Sequence, residues 1–279
     1  MKVKITGRSQ SALPPLRHLK NLSTLSVSCE NDIPKDYCLR EIAIAIKASP
    51  GLTDLSINAG TLHPIECTSL QCLLQESRPE LVQLKLVGVP LPNSGIREIL
   101  SVKLQQLSVW TRQGARNIEF DWGRLWSALQ ETGIKLSILE VSGMENAIDK
   151  MFTYLLSYAG LKRLEILHLE MDTQEMEDKA AQKFWDKVVP HHWKSLTTLF
   201  IGSNVESEWG YGPRAAISLR KCSSLQNLTI SARSVSSPWA RTMLSRACEY
   251  NNVEFCELQE PHGAAENCGV RLAICNEVS

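Results

Sequence analysis

Leu22-Ser23-Thr24-Leu25-Ser26-Val27, an L-x-x-L-x-V phrase, is the stretch whose reading decides the fold. It returns as Leu52…Leu55…Ile57, Leu81…Leu84…Leu86, Leu104…Leu107…Val109 and Leu136…Leu139…Val141. Three further copies read Leu164…Leu167…Leu169, Leu196…Leu199…Ile201 and Leu225…Leu228…Ile230, and a weaker ninth reads Val253…Cys256…Leu258. Successive copies start 30, 29, 23, 32, 28, 32, 29 and 28 residues apart. A period in the high twenties marks a stacked-repeat architecture, in which each unit covers its neighbour's apolar face.

The period-2 pair at the end of each phrase (Leu25 and Val27 in the first) predicts a short strand with one buried face. Apolar residues then recur at three- and four-residue steps in segments expected to be helices: Leu39–Ala48, Ser69–Gln75, Trp122–Glu131, Ile148–Tyr158, Ala180–Val189, Pro213–Arg220 and Trp239–Ala247. Pro50-Gly51, Pro79, Gly133, Gly160 and Pro190 fall where helices should stop. One strand and one helix per unit predict an α/β solenoid, with a curved parallel sheet on the concave side and helices on the convex side. A single array over 1–279 is expected. Residues 1–21 would be a partial repeat or cap, with Val3 and Ile5 alternating like a strand. Residues 22–258 would hold the repeats and 259–279 a C-terminal cap or tail, in which Val270–Cys275 has strand character.

Lys plus Arg and Asp plus Glu both number 30, with no long basic block, so neither nucleic acid nor an acidic membrane surface is an expected partner. No run of apolar residues is long enough to span a bilayer. The nine cysteines form no C-x-x-C pair, and no signal-like segment opens the sequence. Reduced thiols in an intracellular protein, cytoplasmic or nuclear, are expected.

Eight in-register copies resemble the leucine-rich repeats, and the helix-bearing length of each unit resembles the ribonuclease-inhibitor and F-box leucine-rich-repeat types. The stretches Ser49-Pro50-Gly51-Leu52-Thr53-Asp54-Leu55, Phe184-Trp185-Asp186-Lys187-Val188-Val189-Pro190-His191, Trp209-Gly210-Tyr211-Gly212-Pro213 and Leu219-Arg220-Lys221-Cys222-Ser223-Ser224-Leu225 are similar to F-box-type proteins of mushroom-forming fungi. The sequence departs from the family in one column. Where leucine-rich repeats often carry Asn or Cys, it has Glu30, Gly60, Val89, Arg112, Met144, Asp172, Asn204 and Arg233, so an irregular arc is expected. The resemblance implies a protein ligand held on the concave sheet, as by the substrate-recognition part of a ubiquitin-ligase receptor. No F-box-like helical segment precedes Leu22, so contact with a ligase adaptor is expected to need such a segment upstream.

Positive signs of catalysis are missing from the sequence. Neither G-x-x-x-x-G-K-[ST], G-x-G-x-x-G nor G-x-S-x-G occurs. His191-His192 lacks metal-ligand spacing and reads as a helix end, and the acidic run Asp172–Lys179 reads as a solvated connector. No catalytic, cofactor or metal residue is nominated, and the expected role is non-enzymatic. Information about a partner then lies between the leucines, on side chains of the opposite strand face. At the centre of that face Trp110, Ile138, Ile166, His168 and Phe200 would form an apolar patch, rimmed by Lys85, Glu140 and Glu170. A patch of that kind marks an interaction surface. The alternative is a structural or regulatory solenoid that docks a partner through its convex helices. The oligomeric state is not legible.

Overall fold

In the computed structural model, residues 2–7, 18–29, 35–58, 80–89, 97, 100–111, 121–144, 147–167, 173–202, 208–210, 212–232 and 270–275 are described. The chain divides into two compact units, Met1–Ile138 and Leu139–Ser279. The first contains β1 (Lys2–Gly7), β2 (Thr24–Cys29), α1 (Lys35–Lys47), β3 (Asp54–Asn58), β4 (Gln83–Val87), β5 (Gln106–Trp110) and α2 (Trp122–Glu131). Strand β6 (Ile138–Ser142) starts on the last residue of the first unit. The second unit continues with α3 (Ile148–Leu156), β7 (Arg163–Leu167) and α4 (Gln174–Lys183). A π-helical turn (Phe184–Val188) leads to α5 (Val189–His191), then β8 (Thr198–Gly202), α6 (Pro213–Leu219), β9 (Asn227–Ala232) and β10 (Val270–Cys275).

The architecture is α/β, with parallel strands in chain order alternating with helices. In the first unit β1 to β5 pair in parallel, and Leu25, Leu55, Leu84 and Leu107 stand side by side. Strand β1 joins that register, with Val3 beside Leu25 and Ile5 beside Val27. In the second unit β7, β8 and β9 pair in parallel, and β10 returns antiparallel to β9.

The leucines of the phrase are the core. Leu22, Leu25, Leu52, Leu55, Leu81, Leu84, Leu104, Leu107, Leu136, Leu139, Leu196 and Leu199 are all buried. Each such side chain removed from water contributes roughly 1.5–3 kcal/mol before the entropy of ordering it is counted. Between copies runs a backbone rule. The carbonyl of the residue after the first leucine accepts two N–H groups from the next copy: Ser23 from Thr53 and Asp54, Thr53 from Val82 and Gln83, Val82 from Gln105 and Gln106, Gln105 from Ser137 and Ile138. Thr53, Ser137 and Thr197 add their hydroxyls to the same carbonyls.

That rule corrects the sixth copy. Its doubly accepting carbonyl is Lys162, which takes the N–H groups of Thr197 and Thr198. The first leucine is therefore Leu161, not Leu164. Two overlapping phrases fit the letters here, and Gly160, with φ +111° in the left-handed region that favours glycine, ends the preceding turn directly before Leu161. A three-residue slip is odd, so it exchanges the two strand faces. Ile166 is consequently fully buried beside Ile201 rather than on the open face, and Leu167 takes an outward position.

Helix α2 spans the expected residues. The Asp121 carboxylate accepts from the Arg124 N–H at 3.0 Å to cap it, and Trp122, Leu125, Trp126 and Leu129 form its buried stripe. The run read as a solvated connector at 172–179 is helical from Gln174. Thr173 caps it by accepting from Met176 N–H, and Glu175 and Glu177 sit in the first turn, where carboxylates suit the helix dipole. The π-helical turn that follows has a local cause. Pro190 lacks an N–H and crowds the carbonyl four residues back, and the widened turn, with Val189 N–H reaching Phe184 O, carries the helix past it. Phe184 packs there against Phe152, Trp185 and Trp209, with ring centroids 4.9–5.9 Å away. The ninth copy at 253–258 and the helical segments expected at 69–75 and 239–247 lie outside the described residues. Among the described residues, no helix is long and apolar enough to cross a membrane.

Candidate functional site

Since Leu25, Val27 and their counterparts fill the core, the side chains between them emerge on the opposite face of the strands. In the first unit the middle row reads Ser26, Ser56, Lys85, Ser108 across β2 to β5. The row toward the strand ends reads Ser28, Asn58, Val87, Trp110. These positions are half-buried apart from Ser108, which is buried. The Lys85 ammonium lies 4.8 Å from the Trp110 ring centroid, a cation–π contact. Trp110 Nε1 is buried and has no hydrogen-bond partner among the described residues. Ile138, also half-buried, donates its N–H to Gln105 O.

The second unit presents different chemistry. Arg163, at the start of β7, directs its guanidinium to two carboxylates: Nη2 lies 3.2 Å from Glu140 Oε1 and 2.6 Å from Glu165 Oε1, and Nε donates to Glu165 Oε1 at 2.9 Å. Both glutamate side chains are only 16% exposed while Arg163 is 43% exposed, so solvent partly screens the pairing from the arginine side. Glu165 stands directly beside Phe200, and Phe200 beside Thr229. Gly202 completes the arrangement by having no side chain. A Cβ there would lie 2.6 Å from Leu167 Cδ2 and 3.2 Å from Phe200 Cε1. Leu167 and Phe200 therefore lean over that glycine and make an apolar floor next to the charged cluster.

Of the residues nominated from sequence, Lys85 and Trp110 come together in the first unit, where Ile138 is half-buried at the start of β6. Glu140 and Phe200 are on the outward row of the second unit. Ile166 belongs to the core, and His168 and Glu170 lie outside the described residues. Arg163, Glu165 and Leu167 were missed through the register slip. A signal for them existed, since Gly160-Leu161 repeats the Gly51-Leu52 junction of the second copy.

The histidine pair does close a helix. His191 ends α5 and donates from Nε2 to Tyr158 O at 2.9 Å, while His192 donates from Nε2 to Leu155 O at 3.0 Å. A carbonyl only accepts, so Nε2 of His192 carries the proton, and its Nδ1 is buried without a partner among the described residues. Burial, and secondarily the neighbouring His191, pulls the His192 pKa down to about 4 against the opposing hydrogen bond to Leu155. Burial likewise pushes the Cys222 thiol up to about 11, so it is protonated and unreactive at neutral pH. Among the described residues no group of three or more His, Cys, Asp or Glu is placed to hold a metal ion.

Comparison of the chain with protein-family profiles and with curated protein sequences finds no match.

Proposed function

We propose that this chain is a non-enzymatic protein-interaction scaffold of leucine-rich-repeat type, holding a protein ligand against the outward face of its strands. The observation that carries this reading is the division of labour within each strand. One row is uniformly aliphatic and buried, while the other places Trp110 in the first unit and Phe200 in the second, half-buried beside charged groups. Aromatic anchors beside polar groups are what partner-binding surfaces are enriched in. The resemblance to F-box-type repeats makes substrate recognition for ubiquitin ligation, inside the cell, the most concrete role. Balanced charge argues against nucleic acid as the partner.

Affinity capture with mass spectrometry tests this. The wild type and a Trp110→Ala/Phe200→Ala double variant are compared as baits in a lysate of a mushroom-forming fungus, with matched thermal melts as the folding control. Proteins held by the wild type and lost from the folded double variant are the expected result, and identical captures contradict it. A second reading, docking through the helices, is favoured by the exposure of Met176, Trp193 and Ile217 in the second unit. Ile217→Ser should abolish capture if that reading holds and leave it intact if the strand face is used.

A further inference from the structure

We infer that the strand face of the first unit selects an acidic partner: a peptide segment that seats an Asp or Glu carboxylate on Lys85. This rests on the strand-face reading above and adds the chemistry of the ligand.

Three observations converge. The first is a cation without an anion. Lys85 stands in the middle row, where β2 and β3 carry Ser26 and Ser56, and its half-buried ammonium makes no ion pair or hydrogen bond among the described residues. Its contact is with the Trp110 ring, which steadies the charge but accepts no N–H in the way an oxygen would. The second is the company it keeps. Ser56 is the register neighbour of Lys85, Ser26 lies one strand further and Asn58 two residues along β3. These side chains have no hydrogen-bond partner among the described residues, so hydroxyl and amide donors stand on the same face as the ammonium.

The third is the position of acid on this face. Asp54, at the start of β3, accepts from Thr53 Oγ1 at 2.6 Å and forms no ion pair with Lys85. An incoming carboxylate is therefore attracted at Lys85 and repelled over Asp54, which fixes where along the strands the acid sits. A ligand backbone laid over Lys85 removes water from beside the ammonium, which strengthens attraction to an anion and raises the penalty for a cation. One ammonium among neutral groups matches a single negative charge. Phosphate carries nearly two and is met best by Arg clusters, and nucleic acid by many cations.

Selection of random phage-displayed peptides against the full chain tests the assignment. The wild type should enrich Asp or Glu at one fixed position. Labelled synthetic copies of those peptides should bind about tenfold more weakly, by fluorescence anisotropy, when that residue is replaced by Gln. Lys85→Gln, with its fold checked by thermal melting, should erase the difference. Lys103→Gln, which alters an exposed lysine already paired with Glu80, should leave it intact. Phosphoserine at the acidic position should bind no better than Glu, and much tighter binding overturns the carboxylate in favour of phosphate. Peptides without an acidic position, or with one that Lys85→Gln ignores, overturn the acidic class. If the Trp110→Ala/Phe200→Ala variant still loses them, the strand face stands as the binding surface. Binding indifferent to both Lys85→Gln and that double variant overturns the acidic class and the strand-face reading together. Selection of no peptide also overturns the acidic class, and the capture experiment then judges the strand face by itself.

Discussion

Lys85 in the first unit and Arg163 in the second both rise from the outward side of a parallel strand, and their surroundings differ in kind. Lys85 has serines on both flanks of its row and an indole beneath it, with no carboxylate partner among the described residues. Arg163 is gripped by Glu140 and Glu165 and borders an apolar floor. The buried rows beneath are nearly interchangeable: Leu84 and Leu86 in β4, Leu199 and Ile201 in β8. The same burial therefore builds both rows, and these strands of the two units differ in the letters the core does not need. A partner that distinguishes them does so through charge and one aromatic ring in each.

The sharpest way to break this comparison is to attack what the units share. Leu84→Ala and Leu199→Ala should each cost roughly 2–5 kcal/mol in urea unfolding, because both sites sit in equally filled rows. A large disparity would mean the cores are not equivalent. The next effect belongs to the second unit. His192 is neutral when folded, with its pKa near 4 against an ordinary 6.5, so the unfolded chain takes up the proton first as pH falls. Stability is complete above pH 6.5 and declines toward pH 4, by about 3 kcal/mol in all. His192→Gln, though less stable at pH 7, should flatten that decline; an unchanged slope would show that another group governs it.

Smaller effects probe the two cations. Arg163→Met leaves two half-buried carboxylates near each other and should cost about 1–2 kcal/mol, whereas Lys85→Met removes a cation with no carboxylate partner among the described residues and should cost less than about 1 kcal/mol. Equal losses would erase the electrostatic difference between the units. Smallest of all is the coupling between Lys85 and Trp110, expected at about 0.5–1 kcal/mol in a double-mutant cycle.

Much of this was legible in the letters. The L-x-x-L-x-V phrase marks the strands because a buried first leucine and a period-2 pair admit few alternatives. The hydroxyls of Thr53, Ser137 and Thr197 even foreshadow the carbonyls they reinforce. Legibility failed where two phrases overlap. Leu161 and Leu164 both open valid copies, and an odd slip between them moved Ile166 to the wrong face and hid Arg163 and Glu165. It failed again at 172–179, where acidic residues were read as solvent-facing loop although Thr173 and two early carboxylates also spell a helix start. The antiparallel return of β10 onto β9 left no local trace, because strand direction depends on the path of the intervening chain, not on the letters of the strand.

The central claim is that the outward strand face, not the helices, receives the partner. Site-specific photo-crosslinking inside cells tests it most directly, with benzoylphenylalanine placed at Phe200 in one variant and at Ile217 on α6 in another. A discrete adduct from position 200 and none from 217 is the predicted outcome. An adduct from 217 with none from 200 would contradict it and place the docking surface on the helices.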